Sequence, residues 1–194
     1  MSVGPGNQET EIKLRAPSPG AAAELLTTHG FSVVKPRVFE RNAMFDTPAG
    51  ELRAAGKILR LRQAGDRATL TFKGEASTGR HKSREELETT VADPSMLALI
   101  LERLGYRRTF IYEKYRTEFE DEDGCGVATL DETSIGTFLE LEGPAEWIDA
   151  TAAHLGFRES DYITASYGRL YLEWCAARDL TPANMTLDRE PVRA

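Results

Sequence analysis

Charged residues two apart recur along this chain: Glu9-x-Glu11-x-Lys13, Arg60-x-Arg62, Lys114-x-Arg116 and Glu140-x-Glu142. In an extended segment such a pair projects from one strand face. Further charges sit in comparable segments, Lys73 in TLTFKG, Arg84 in SREELETTV and Asp131 in GVATLDE. Lys13, Arg60, Arg62, Lys73, Arg84, Lys114 and Arg116 make seven fixed cations, which suit several linked phosphates. Arginine supplies bidentate forks and lysine supplies point charges. The acids are Glu9, Glu11, Glu86, Glu88, Glu118, Asp131, Glu140 and Glu142. Carboxylates repel phosphate unless a divalent cation bridges the two, and all-oxygen ligation favours Mg2+ or Mn2+ over zinc. Glu86, Glu88 and Glu118 are instead expected to pair with the arginines and orient them.

Strands must position these side chains, because the residues between the charges are apolar. Ile12 and Leu14, Leu59 and Leu61, Leu70 and Phe72, Tyr115 and Phe119, Ala128 and Leu130, and Leu139 and Leu141 take the opposite faces. A single charged strand face is ordinarily a solvated one. Here both signs mix in nearly every strand, and amphipathic helices accompany them. Ser18-Pro19 caps a helix from Gly20 to about His29, presenting Ala22, Leu25, Leu26 and His29. Asp93-Pro94 opens another, expected to pack through Leu97, Ile100, Leu101 and Leu104. A third runs from Ala145 to about Leu155, and a fourth from about Asp161 to Arg178 carries Ile163, Tyr167, Leu170, Tyr171 and Trp174. The first three exit through Gly30-Phe31, Gly105-Tyr106 and Gly156-Phe157, a glycine C′ signal. The predicted fold is therefore α+β, an antiparallel barrel or tunnel with a charged interior and helices packed outside. Like charges facing one another inside an empty tunnel should strain it. Arg60→Ala or Arg116→Ala is thus expected to leave the fold as stable or more so.

The chain has 194 residues, 41% hydrophobic and 28% charged, which fits one soluble domain. Residues 8–178 are assigned to it, residues 1–7 to a flexible tail and residues 179–194 to an irregular, expendable one. A net charge of -7 argues against a DNA or RNA duplex as partner. Cys125 and Cys175 lie outside any Cys-x-x-Cys motif and read as buried free thiols. No apolar run is long enough to suggest a membrane span, and no signal-peptide core opens the chain, so a cytoplasmic protein is expected. His29, His81 and His154 read as packing or surface residues, and neither a nucleophile elbow nor a phosphate loop is present.

Glu9-x-Glu11-x-Lys13, FDTPAGELRAAGKILRLR, LTFKGE, KSREELE, YEKYR, TLDET, GTFLELEG and SYGRLYLE occur in an order that resembles the CYTH superfamily. This group includes class IV adenylyl cyclases and thiamine triphosphatases, also called triphosphate tunnel metalloenzymes. The resemblance covers roughly residues 8–175 and implies an eight-stranded antiparallel tunnel binding a small-molecule triphosphate with Mg2+ or Mn2+. It also implies metal ligation by Glu9, Glu11, Asp131, Glu140 and Glu142. Asp131, Glu140 and Glu142 would act in catalysis through metal-activated water. Lys13, Arg60, Arg62, Lys73, Arg84, Lys114 and Arg116 become the phosphate-binding cations. Lys82 is a further candidate, beside an STGRHK loop that could close over the tunnel mouth.

The intact Glu140/Glu142 pair resembles the hydrolytic branch, favouring two-metal hydrolysis of tripolyphosphate, thiamine triphosphate or a nucleoside triphosphate. Cyclisation of ATP to cyclic AMP and pyrophosphate is the alternative, and a non-catalytic polyphosphate- or nucleotide-binding module a third. One hydrolytic branch places a tyrosine after the first helix, where FSVVKPRVFERNAMFDT has none. The chain is expected to be a monomer or homodimer.

Overall fold

The computed structural model describes residues 8–77 and 79–187. Its strands are β1 (Gln8–Ala16), β2 (Ser32–Asp46), β3 (Ile58–Ala64), β4 (Arg67–Lys73), β5 (Lys82–Val91), β6 (Arg107–Glu120), β7 (Val127–Thr133) and β8 (Gly136–Glu142). They close into an antiparallel barrel in the order β1-β5-β4-β3-β2-β6-β7-β8. Helices α1 (Pro19–Thr28), α2 (Glu51–Ala54), α3 (Pro94–Arg103), α4 (Ala145–His154) and α5 (Tyr167–Ala176) complete the described elements. The α+β barrel expected from the alternating charges is the fold observed. None of the helices is long and apolar enough to cross a membrane.

The apolar strand faces point outward, as the alternation required. Ile12, Leu14, Phe119, Ala128, Leu130, Leu139 and Leu141 pack with Ala22, Leu26, Ile148 and Ala152 of α1 and α4. Gly30, Gly105 and Gly156 each take positive φ, and the following aromatic N–H donates to a carbonyl five residues back. The repeated helix-to-strand corner is therefore real, and glycine suits it because it lacks a Cβ.

Three packing expectations need correction. On α3, Leu101 is buried, but Ile100 and Leu104 are exposed, so that helix meets the barrel along a narrower stripe. The last helix begins at Tyr167, not near Asp161. Glu159–Asp161 is a short 3-10 turn, and Ile163 lies beyond it in extended backbone. Ile163 exchanges backbone hydrogen bonds with Lys13, both at 2.9 Å. Strand tilt explains this: β1 pairs with β5 only through Glu11, leaving the next stretch of its edge open. Of the cysteines, Cys175 is buried but Cys125 is exposed, and both are free.

Residues 1–7 and 188–194, assigned above to the two tails, lie outside the described residues, but the segment from the end of α5 to Leu187 packs on the barrel. Met185 is fully buried and bridges Ile111 and Glu113 through backbone hydrogen bonds at 2.9 Å. It covers the part of β6 that β7 does not reach, since the β6–β7 pairing begins at Tyr115. Met185→Ala should cost about 2–5 kcal/mol, the range for emptying a buried methionine site. Urea denaturation checks this, and a loss below about 0.5 kcal/mol would mean the segment is dispensable.

Candidate active site

The barrel interior is a cavity of about 500 Å³ lined by residues from all eight strands and the start of α5. Every cation expected there is present: Lys13, Arg60, Arg62, Lys73, Arg84, Lys114 and Arg116 all line it, and Lys82 joins them. Glu9, Glu11, Glu140 and Glu142 also line it, with Glu86, Glu88 and Glu118. Asp131 does not. It lies fully buried beneath the wall.

The charges are ordered by contact. Asp131 accepts from Arg116 Nε at 2.7 Å and Nη2 at 2.6 Å, from Lys114 at 2.8 Å and from the Tyr167 hydroxyl at 2.7 Å. Arg116 also pairs with Glu140, whose other oxygen lies 3.0 Å from Lys13. Lys13 and Lys82 share Glu11 at 2.9 and 2.7 Å. Lys73 binds Glu9 at 2.6 Å and Glu86 at 2.8 Å, while Arg84 meets Glu9 at 3.4 Å. Glu86 and Glu88 flank Arg60 at 3.7 and 3.9 Å. Glu118 pairs with Lys35 rather than an arginine. The interior is therefore a lattice of opposite charges, not a set of repelling cations.

Burial alone would raise the Glu11 and Glu140 carboxyls, but the cations prevail. Lys13 leads in both cases and holds them well below the usual range. Burial likewise works against Lys13, yet Glu11 and Glu140 hold its ammonium above its ordinary value. Glu142 behaves oppositely. Desolvation, with Glu9 next and Glu140 and Glu11 behind, pushes its carboxyl up to about 7. No ion pair or hydrogen bond reaches this carboxylate among the described residues, although it keeps solvent access at the cavity rim. Burial and Glu11 also raise Glu9, against the pull of Lys73.

Glu9, Glu11, Glu140 and Glu142 are all oxygen donors on adjoining strands, the donor type that hard divalent cations take. In their present rotamers the described acids form no ready-made cluster of three metal donors, because lysines and an arginine occupy three of them. The Asp131 oxygens are fully engaged by Arg116, Lys114 and Tyr167, which suits orienting those groups.

Glu40, Asn42 and Tyr167 join the interior beyond the residues the alternating charges indicate. Glu40 on β2 is buried between Lys114 at 3.6 Å and Arg62 at 3.5 Å. Burial opposes its ionisation, but Lys114, Arg116, Arg62 and Arg60 hold it down to about 2. Asn42, two residues on, is fully buried, and neither side-chain amide atom has a partner among the described residues. The signal was legible: Val38, Glu40, Asn42 and Met44 alternate with Phe39, Ala43 and Phe45. Tyr167, expected on one face of a longer helix, is instead projected by α5 into the barrel end against Phe138, 5.5 Å between ring centres. The STGRHK loop is tied to α4, with Arg80 paired to Asp149 and the His81 ring 2.8 Å from the same carboxylate.

A Methanocaldococcus jannaschii protein described as a candidate adenylate cyclase is 29% identical over 134 residues, covering 69% of this chain and 75% of that one. Among solved structures, a Vibrio parahaemolyticus protein of similar description superposes with TM-score 0.75 and 23% identity, covering 85% of this chain and 98% of that one. A Hippeastrum candidate adenylyl cyclase, described as having a dominant triphosphatase activity, superposes with TM-score 0.62 and 22% identity over 85% and 95% of the two chains. At these identities the structures report a shared fold. The CYTH domain family profile matches residues 7–158, and with the charged barrel in view the chain belongs to the CYTH domain family.

Proposed function

We propose that this protein hydrolyses the phosphoanhydride bond of a triphosphate with the help of Mg2+ or Mn2+. The observation that carries this reading is that Glu9, Glu11, Glu140 and Glu142 line one cavity together with seven interior cations. Glu9, Glu11, Glu140 and Glu142 would hold the ion. When bound, a divalent ion neutralises phosphate oxygens and makes water a better nucleophile. Arg60, Arg62, Lys73, Arg84 and Lys114 bind and orient the phosphates, and Arg116 and Lys13 do so after exchanging a carboxylate for a phosphate oxygen. Asp131 and Tyr167 act behind them, fixing Arg116 and Lys114. The lattice of ion pairs keeps each cation in place until a polyanion and a metal replace the pairing.

Cyclisation of ATP is the second reading, favoured by the candidate cyclase description of the archaeal relative. A panel of tripolyphosphate, thiamine triphosphate and ATP with Mg2+ or Mn2+, products identified by anion-exchange chromatography, separates the two. Orthophosphate supports hydrolysis, and cyclic AMP with pyrophosphate supports cyclisation. Tight binding without either product would leave a binding module.

A further inference from the structure

β1 presents Glu9, Glu11 and Lys13 to the cavity, and two segments divide one of its edges. β5 pairs along that edge from Gln8 to Glu11, ending on the Glu11–Lys82 rung. Beyond that rung Ile163 takes over, bonding Lys13 through its backbone. The edge therefore changes partner between Glu11 and Lys13. The end of a strand ladder is where local opening begins, unless something joins the two segments.

One carboxylate joins them. His81 precedes Lys82 and Tyr162 precedes Ile163, and both meet the same Asp149 oxygen. His81 Nε2 lies 2.8 Å from it and the Tyr162 hydroxyl 3.1 Å. Arg80 pairs with the other oxygen and reaches Glu159 at 3.3 Å. An ionised carboxylate only accepts, so the ring N–H, the hydroxyl and the guanidinium all donate to it. Burial alone would raise the Asp149 carboxyl, but His81, Tyr162 and Arg80 hold it below its ordinary value. Asp149 sits on α4 and is not among the residues lining the cavity.

An isolated exposed ion pair contributes little to a fold. Here three donors from two segments converge on one anion, and the residue beside them is Lys82. Its ammonium is buried, faces the cavity and lies 2.7 Å from Glu11, which also holds Lys13. Burial draws that ammonium below the ordinary lysine value, with Glu11 opposing. Lysine carries its charge on a flexible four-carbon stem, so where the charge stands depends on where the backbone is pinned. Glu11 holds Lys82 from inside the barrel, and Asp149 holds its neighbours from outside. We propose that Asp149 is a positioning residue: by clasping Arg80, His81 and Tyr162 it fixes Lys82 as a further phosphate-binding cation of the cavity. This role rests on the triphosphate reading above and extends the site to a residue that touches neither phosphate nor metal.

The test is a double-mutant cycle of Asp149→Asn with Lys82→Met. It is read by steady-state kinetics on tripolyphosphate and ATP with Mg2+, and by calorimetric affinity for tripolyphosphate. Asparagine keeps the shape of the side chain but turns a donor toward groups that themselves donate. Asp149→Asn should raise KM and Kd roughly 3- to 10-fold while kcat changes less than about 2-fold, the pattern of a lost uniform binding contact. Lys82→Met should raise both at least as far, and the double variant no further than Lys82→Met alone. Effects that multiply in the double variant, or an unchanged Kd in Asp149→Asn, would overturn the role. Should Asp149→Asn fold poorly, Tyr162→Phe removes a single donor from the clasp and enters the same cycle. If the wild-type protein turns over no triphosphate, the hydrolytic reading fails, while the affinity cycle still decides the role of Asp149.

Discussion

Arg116→Ala is expected to destabilise the ligand-free protein by about 3–5 kcal/mol, the cost of breaking a buried ion-pair network, and to abolish triphosphate binding. Arg116 spans both oxygens of the fully buried Asp131 and reaches Glu140 as well. Without it Asp131 keeps only Lys114 and Tyr167, and Glu140 keeps only Lys13. Two buried carboxylates then face an incomplete set of partners. Arg60→Ala provides the contrast. Its nearest acids stand at 3.7 and 3.9 Å, and Glu88 is partly solvated. The Arg60 guanidinium donates only at 3.4 Å to Tyr112 and 3.2 Å to Thr71, and its buried Nε has no partner among the described residues. With no short ion pair to break, losing it should cost the fold less than losing Arg116 does, while binding is still lost. Urea denaturation of both variants without ligand, beside calorimetric titration with tripolyphosphate, measures the split. Equal stability losses would contradict the asymmetry. The expectation that both replacements are harmless assumed an interior of unpaired cations, whereas both signs are already matched there.

Glu142→Gln is expected to remove metal-dependent turnover by roughly 100-fold or more, the scale of deleting one electrostatic element of such a site. It should also flatten the pH dependence of the metal-free protein. The Glu142 carboxyl is pushed up to about 7 from the ordinary 4.5. The folded chain therefore holds this proton more tightly than the unfolded chain does. Its contribution to stability is complete below about pH 4.5 and is lost as pH rises through about 7. Glu9, raised in the same direction, adds to the trend. Solvent at the rim screens the repulsion, so the amplitude is a fraction of what the shift alone implies. A divalent cation competes with the same proton, and metal affinity should strengthen over that window. Thermal melts of wild-type and Glu142→Gln protein at pH 5 and pH 8 test the sign. The glutamine variant should lose less stability on going to the higher pH. Parallel behaviour would show that Glu142 is not held protonated by its neighbours.

The sequence alone determined which way the strand residues point. Glu9, Glu11 and Lys13 share a face because a strand has period two, and Ile12 and Leu14 must then share the other. The same rule set Arg60 with Arg62, Lys114 with Arg116 and Glu140 with Glu142, and the glycine exits fixed where three helices stop. Pairing was a different matter. Which acid neutralises which cation depends on barrel tilt and stagger, which bring Glu9 against Lys73 and Glu140 against Lys13 from strands far apart in sequence. The C-terminal half shows the same limit. Ile163, Tyr167 and Met185 look alike in sequence as apolar residues near a helix, but each is spent on a different gap in the barrel. Local periodicity reports a side chain's direction and carries no information about strand offset. Only closure of the barrel, where backbone hydrogen bonds at open strand edges had to be met from elsewhere in the chain, decided what lies opposite each charge.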